Sequence, residues 1–285
     1  LSLEFTEAPL DINRAAIYCN NSGYFRITNN TIKNTGIIPG GSFRATQNDG
    51  LYLYSCNNSV VQYNSITNTG YNGIYITGSK TEIINNYINF PCILLNDGGG
   101  IYTSGGGYTG RVFSVNIILN SGAGNVNATL AEGIYLDEYS ANVTVNNNTI
   151  ANSKFAGIKN HKGYNNIITS NTIFNNGTGI FLQNSSLASG AIHDLNISKN
   201  IIVASDKAQI ALRFYSRADD LPVFGTADYN YYARPVDDDD IIYTYSPSTG
   251  SKYRQLSDWQ SFTKQDLHSR KSPVLISDTS KISFY

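Results

Sequence analysis

Four acidic residues and one histidine depart from an otherwise neutral repeat, and their types suit general acid–base chemistry. Asp97 lies in Asn96-Asp97-Gly98-Gly99-Gly100-Ile101-Tyr102, which runs on into Ser104-Gly105-Gly106-Gly107-Tyr108. Glu132, Asp137 and Glu138 fall in Glu132-Gly133-Ile134-Tyr135-Leu136-Asp137-Glu138-Tyr139-Ser140, and His161 in Gly157-Ile158-Lys159-Asn160-His161-Lys162-Gly163. Like charges gathered near one cleft raise a carboxyl pKa toward the range in which a general acid works near neutrality. Singly, each carboxylate reads as a solvated turn residue; as a group they point to a reacting site.

The elements that must position them follow from asparagine. The chain has 35, and all but Asn230 precede residue 201. They recur in the phrase N-x-I, at Asn30, Asn64, Asn86, Asn116, Asn148, Asn171 and Asn200, with spacings of 34, 22, 30, 32, 23 and 29. A second phrase, usually G-I-Y, alternates with it and begins at Gly50, Gly73, Gly100, Gly133, Gly157 and Gly179. A minimum period near 22 residues, lengthened by loop insertions, means a solenoid. Neither a recurrent leucine framework nor a helical segment supports a leucine-rich repeat, whereas short alternating strands between Asn, Gly, Ser and Thr support a coil of strands. The fold expected is all-β: a single-stranded right-handed parallel β-helix of about eight turns with a C-terminal capping segment. Stacked asparagines would then bond from turn to turn and satisfy buried amides.

Strand alternation sends Ile74, Ile134 and Ile180 inward, with Ile76, Leu136 and Leu182 two residues later. Tyr52, Tyr75, Tyr102, Tyr135, Lys159 and Phe181 then form one outward column, and Tyr54, Thr77, Ser104, Asp137, His161 and Gln183 a second beside it. Exposed aromatics beside polar groups suit sugar rings, whose apolar faces stack while their hydroxyls take hydrogen bonds. Tyrosines stacking purely for strand stability are an equal alternative. Tyr75, Tyr102 and Tyr135, with Lys159 and with Tyr108 of the glycine-rich loop, are the candidates for binding a polysaccharide or oligosaccharide.

Composition narrows the partners. A net charge of −1 and a pI near 6.3 leave no basic footprint for nucleic acid or an anionic membrane surface. No apolar run approaches the roughly 20 residues of a membrane span. Cys19, Cys56 and Cys92 are an odd number without C-x-x-C spacing, which suggests buried free thiols in place of a zinc site or disulfide framework. The N-terminus already reads as strand, with no initiator Met or export signal, and points to a processed piece of a longer secreted or cell-surface protein. Residues 1–204 are expected to hold the regular turns. Residues 205–285 should hold the last turns and the cap within the same domain, with Ser257-Asp258-Trp259-Gln260 as a capping box and Trp259, Phe262 and Leu267 over the open end. The run from Asp237 to Asp240 reads as a solvated loop in preference to a Ca²⁺ site.

The strings NDGGGIYTSGG, GIYLDEYSANVTVNNNTI and GIKNHKGYNNIITSNTIF resemble consecutive turns of parallel β-helix glycosidases of the pectate-lyase-like superfamily, the group with β-xylosidase-type and α-fucosidase-type members. The tail from Tyr253 to Trp259 and from Asp266 to Ser269 is similar to their closing segment, so the resemblance spans about Asn48 to Ser269. It implies the fold specifically and the activity less so, because such repeats also occur in lyases, epimerases and proteins without known catalysis. Carried over, it implies Asp97 and Asp137 as the acidic pair, with Glu138 beside the second and His161 one turn above.

Asp137 and His161 are 24 residues apart, which makes them lateral neighbours at about 5 Å. A straight strand would instead put Asp97 some ~20 Å from Asp137, beyond the roughly 5 to 10 Å of a productive pair. The three glycines after Asp97 can supply a shortening bend; if the segment is straight, Glu132 becomes the better partner of Asp97. Three functions follow. The preferred one is glycosidic hydrolysis by two carboxyls without a cofactor. The second is a lyase in which Lys159 or Lys162 abstracts a proton while Asp97, Asp137 and Glu138 hold Ca²⁺. The third is a non-catalytic glycan-binding or adhesive surface. Few basic residues near the carboxylates, Lys159 and Lys162 with the place of Arg111 less well defined by the repeat, modestly favour the hydrolase over the lyase.

Overall fold

The computed structural model describes residues 2–4, 15–40, 48–188, 191–237, 239–272, 277–278 and 280. Short strands wind into three sheets of ten, ten and eight strands, parallel except for the last strand of one, with each inner strand of the coil pairing with its equivalents one turn before and after. The eight-stranded sheet counts the complete three-strand turns and agrees with the number expected from the repeat. The N-x-I phrases form one sheet, with Ile66, Ile88, Ile118 and Ile150 in mutual register, and the G-I-Y phrases another, with Tyr52, Tyr75, Tyr102 and Tyr135 in register.

The core follows from strand alternation. Ile74, Ile76, Ile134, Leu136 and Ile180 have no exposed surface and Leu182 almost none. The glycine of G-I-Y recurs because neighbouring turns meet there. A Cβ on Gly133 would sit 2.3 Å from Ile150 Cγ2 and 2.6 Å from the Gly157 carbonyl oxygen, closer than any side chain tolerates.

Asparagine supplies the internal polar ladder. Each Nδ2 donates to the Oδ1 of the next residue at 2.9–3.0 Å, through Asn30, Asn64, Asn86, Asn116, Asn148, Asn171, Asn200 and Asn230. The preceding residue is left-handed in every turn, with φ between 55° and 60° at Asn29, Tyr63, Asn85, Val115, Asn147, Ser170, Lys199 and Tyr229. Asparagine adopts that conformation readily and valine does not, so the bend is imposed by the ladder and the sheets even where the local residue opposes it.

Because all the amides point the same way, the ladder needs an acceptor at its end. Asp266 provides it: Asn230 Nδ2 donates to its Oδ1 at 3.0 Å, Ser269 Oγ to Oδ1 at 2.6 Å, Trp259 Nε1 to Oδ2 at 2.8 Å and the Tyr232 hydroxyl to Oδ2 at 3.1 Å. The strands Ile210–Ser216, Gly225–Asp228 and Tyr231–Ala233 continue the three sheets. Ile242–Ser246 then pairs antiparallel with Gly250–Arg254 and covers one sheet edge.

The helix Leu256–Thr263 differs from its expected cap. Its N-cap is Gln255, without a side-chain cap bond, so Ser257 lies inside the first turn and the capping box does not form. Trp259 and Leu256 are buried, whereas Phe262 is 42% and Leu267 60% exposed. Arg254 stacks on Phe262 at 3.9 Å, which holds that ring at the surface. In the acidic run, Asp237 pairs with Arg234 and Asp239 accepts from Gln255, while Asp238 lies outside the described residues. The three cysteines are free thiols, two of them buried. No helix among the described residues is long and apolar enough to cross a membrane.

Candidate functional site

On the outer side of the G-I-Y sheet, Tyr18, Tyr52, Tyr75 and Tyr102 stack with successive ring centroids 5.4, 4.6 and 5.3 Å apart. Parallel pairing at the ordinary inter-strand distance brings equivalent rings to that separation. Tyr135 breaks the stack by turning edge-on to Tyr102 at 5.2 Å. The expected outward column is therefore exposed only in part. Tyr135, Lys159 and Phe181 point outward but are only 2–3% exposed. The Lys159 ammonium lies 4.2 Å from the Tyr135 ring centre, and Phe155 packs against both Lys159 and Phe181. Phe155 comes from the connection between strands, which the repeat pattern does not describe. Tyr108 leans back over the column, its hydroxyl 3.1 Å from Ser55 Oγ.

The polar groups collect at the end of this stack. Asp137 accepts from the Tyr102 hydroxyl through Oδ2 at 2.6 Å and meets His161 Nδ1 through Oδ1 at 2.7 Å. Burial alone would raise the Asp137 pKa. Hydrogen bonds from His161, Tyr102, the Glu138 backbone and Tyr135 outweigh it and hold the carboxyl down at about 2. Burial and the neighbouring carboxylate push Tyr102 and Tyr135 upward, so both hydroxyls remain donors. An ionised Asp137 makes Nδ1 of His161 the protonated nitrogen and leaves Nε2, 2.7 Å from Ser185 Oγ, free to accept. Ser185 was not singled out by sequence, and the register of that turn pairs His161 with Gln183. Glu138 is half exposed and held by Lys162 Nζ at 3.0 Å, with His161 Nδ1 3.9 Å away.

Asp97 joins a different group. The three glycines form regular strand, with Gly98 opposite Ala131 and Gly99 opposite Glu132, so the bend that would carry Asp97 to Asp137 is absent. Asp97 instead lies 4.0 Å from Lys159 Nζ, whose other contact is Glu132 Oε1 at 3.1 Å. Those contacts bring the Asp97 and Glu132 carboxyls to one ammonium. Glu132 has no exposed surface, and neither of its oxygens receives a well-directed hydrogen bond. Burial raises its pKa to about 7 against the opposing pull of Lys159, with Asp97 and Asp137 adding to the rise. Asp97 itself is 58% exposed. Tyr71 closes this corner by donating its hydroxyl to the Asp97 carbonyl oxygen at 2.6 Å.

A pH prediction follows with a definite sign. The Glu132 pKa is higher folded than unfolded, so between the two values the native state binds more protons and stability falls as pH rises from about 4.5 toward about 7. Thermal melts of the wild type should show that decline, and Glu132→Gln should flatten it. An identical slope in the variant would show that Glu132 is not the group responsible.

Arg111 is not part of the site. It is fully buried and donates to Thr103 Oγ1 and to the carbonyl oxygens of Ser104, Gly105 and Ala141, pinning the glycine-rich loop to the coil. A Ca²⁺ held by Asp97, Asp137 and Glu138 fits poorly. Asp97 stands with Lys159, and the third group close to Asp137 and Glu138 is the His161 imidazole, a nitrogen donor where Ca²⁺ takes oxygen.

The family described as right handed beta helix region has a sequence model that matches residues 15–219. No curated protein and no solved structure matches the chain.

Proposed function

The chain belongs to the right-handed β-helix family, and from that premise we propose that it binds a glycan along the stacked tyrosines and hydrolyses it at the Asp137–His161 pair. The observation that carries this reading is the position of an ionised carboxylate, bonded to an imidazole, at the end of a half-exposed aromatic column. The tyrosines offer faces for sugar rings. His161, oriented by Asp137, moves the proton between substrate and water. If the bond is glycosidic, the second carboxyl within reach of the pair is Glu138, half exposed beside Asp137 and His161. Glu132, enclosed beside Lys159, acts through the charge it holds there and does not contact substrate.

The lyase reading has less support. Lys159 is buried against Glu132 and between Tyr135 and Phe155, and Lys162 is paired with Glu138, so neither is disposed to take a proton from a substrate. Basic residues are also too few to bind a polyuronate strongly. The substrate class proposed is a neutral or weakly acidic glycan outside the cell.

Incubation with a panel of neutral and acidic oligosaccharides, followed by mass spectrometry and ultraviolet absorbance, tests this. Hydrolysis should give products that together have gained one water per bond cut and do not absorb. Absorbing unsaturated sugars would replace the hydrolase by a lyase. Binding without any product would make the protein a glycan-binding surface.

A further inference from the structure

The hydrogen-bond chain does not stop at the imidazole. Asp137, His161 and Ser185 follow one another at intervals of 24 residues, so they stand on three successive turns. Parallel register aligns Asp137 with His161 and His161 with Gln183, and Ser185, two residues past Gln183 at the strand end, brings its hydroxyl back to the imidazole. Asp137 Oδ1 meets Nδ1 of His161 at 2.7 Å, and Nε2 of the same ring meets Ser185 Oγ at 2.7 Å. Atom for atom, this is the arrangement that activates a serine: the carboxylate fixes the tautomer, and the second nitrogen accepts the hydroxyl proton.

The other two histidines show what a merely structural imidazole looks like on this surface. His193 and His268 also bring Nδ1 to a carboxylate at 2.7 Å, and each stacks on a tyrosine. Among the described residues, only His161 carries a serine hydroxyl on its second nitrogen. Ser185 is partly exposed, at the end of the strand Thr178–Asn184, so an incoming carbonyl group can reach it. Arg217, an exposed side chain of the next turn, donates Nη1 to the Ser185 carbonyl oxygen at 3.4 Å and sets a guanidinium beside the nucleophile.

We propose that Ser185 is the nucleophile of an ester-hydrolysing site, with His161 as its general base and Asp137 as the orienting carboxylate, acting on an acyl-substituted glycan. The glycan half of this statement rests on the function proposed above; the serine half rests on the three-residue geometry alone. Ser185 Oγ attacks the acyl carbon as its proton passes to His161 Nε2, giving a tetrahedral alkoxide next to the Arg217 guanidinium. Collapse breaks the acyl carbon–sugar oxygen bond, and that oxygen takes the proton from Nε2, leaving the acyl group on Ser185 and a free sugar hydroxyl. Water then gives a proton to Nε2 and its oxygen to the acyl carbon. The second collapse releases the carboxylic acid, and Nε2 returns the proton to Ser185. Ester and water become alcohol and acid, with no oxidant, metal or co-reactant.

The test measures wild type and Ser185→Ala on p-nitrophenyl acetate and on partially O-acetylated oligosaccharides, with binding of the same sugars followed in parallel. A fluorophosphonate probe, located by mass spectrometry, provides a readout that does not depend on finding the right sugar. Wild type should hydrolyse the esters and carry the probe on Ser185. Ser185→Ala should keep its melting temperature and sugar binding while losing ester turnover by about 10³-fold or more, and His161→Ala should no longer take the probe. Ester turnover that survives in Ser185→Ala, or a folded wild type with neither turnover nor label, overturns the proposal. Ester turnover without sugar binding keeps the serine site and removes the glycan reading. Sugar cleavage or binding without ester turnover does the reverse.

Discussion

Asp137→Asn should lower hydrolytic turnover by about 10³- to 10⁴-fold while the protein stays folded. The carboxylate accepts from two opposed donors, the Tyr102 hydroxyl at 2.6 Å and His161 Nδ1 at 2.7 Å. An amide has one accepting oxygen and one donating nitrogen, so it satisfies only one of them as they now stand. If its nitrogen faces the imidazole, Nδ1 must become the acceptor and the proton moves to Nε2, the position required for the base. The loss therefore falls on the rate and not on the aromatic column, so substrate affinity should change little. Kinetics on the substrate found by panel screening, with a thermal melt of each protein, check this. Wild-type turnover in the variant would place the chemistry elsewhere on the coil.

Asp266→Ala should be the most damaging single change to stability outside the hydrophobic core. It removes the acceptor shared by Asn230, Trp259, Ser269 and Tyr232, all at a buried site. An orphaned buried donor costs about 1–3 kcal/mol, and even with water entering to meet some of the four the total should exceed roughly 4 kcal/mol. For a chain of this size that corresponds to a fall in Tm on the order of 10 °C. Asp266→Asn retains one acceptor and should fall between wild type and Ala. Differential scanning calorimetry decides it. An unchanged transition in the Ala variant would mean that the ladder does not depend on its terminal acceptor.

The architecture is legible in the sequence because a solenoid repeats its constraints. The phrase N-x-I marks one ladder, G-I-Y marks one close approach of neighbouring turns, and each is written many times over. The Asp137–His161 contact is legible for the same reason, since residues one period apart in a parallel coil are lateral neighbours. What occurs once cannot be read that way. Asp266 ends the ladder without any repeat to announce it, and the capping box expected at Ser257 loses to an N-cap at Gln255. Phe155 covers the outward column from an inter-strand connection, so the burial of Lys159 and Phe181 is tertiary information. Ser185 had no signal in its spacing, since that turn pairs His161 with Gln183, 22 residues on. It lies just past the end of its strand, and Gln183 takes the equivalent place in the polar column.

The burial of Glu132 also changes what the acidic cluster is for. A carboxyl with no exposed surface and a pKa near 7 cannot meet a substrate, but it sets the charge under Lys159 and Tyr135. Tyr135 also bonds to Asp137, and both Asp137 and Asp97 act on Glu132, so the buried acid and the part-buried Asp137–His161 pair belong to one electrostatic neighbourhood.

Titration of the oligosaccharide identified by the panel into Asp137→Asn, beside wild-type and variant turnover of the same compound, tests most directly whether the tyrosine column and the Asp137–His161 pair form one working site. The expected result is a Kd within a few fold of the wild-type KM and turnover reduced by about three orders of magnitude or more. Binding that disappears together with turnover, or turnover that persists at the wild-type rate, would contradict it.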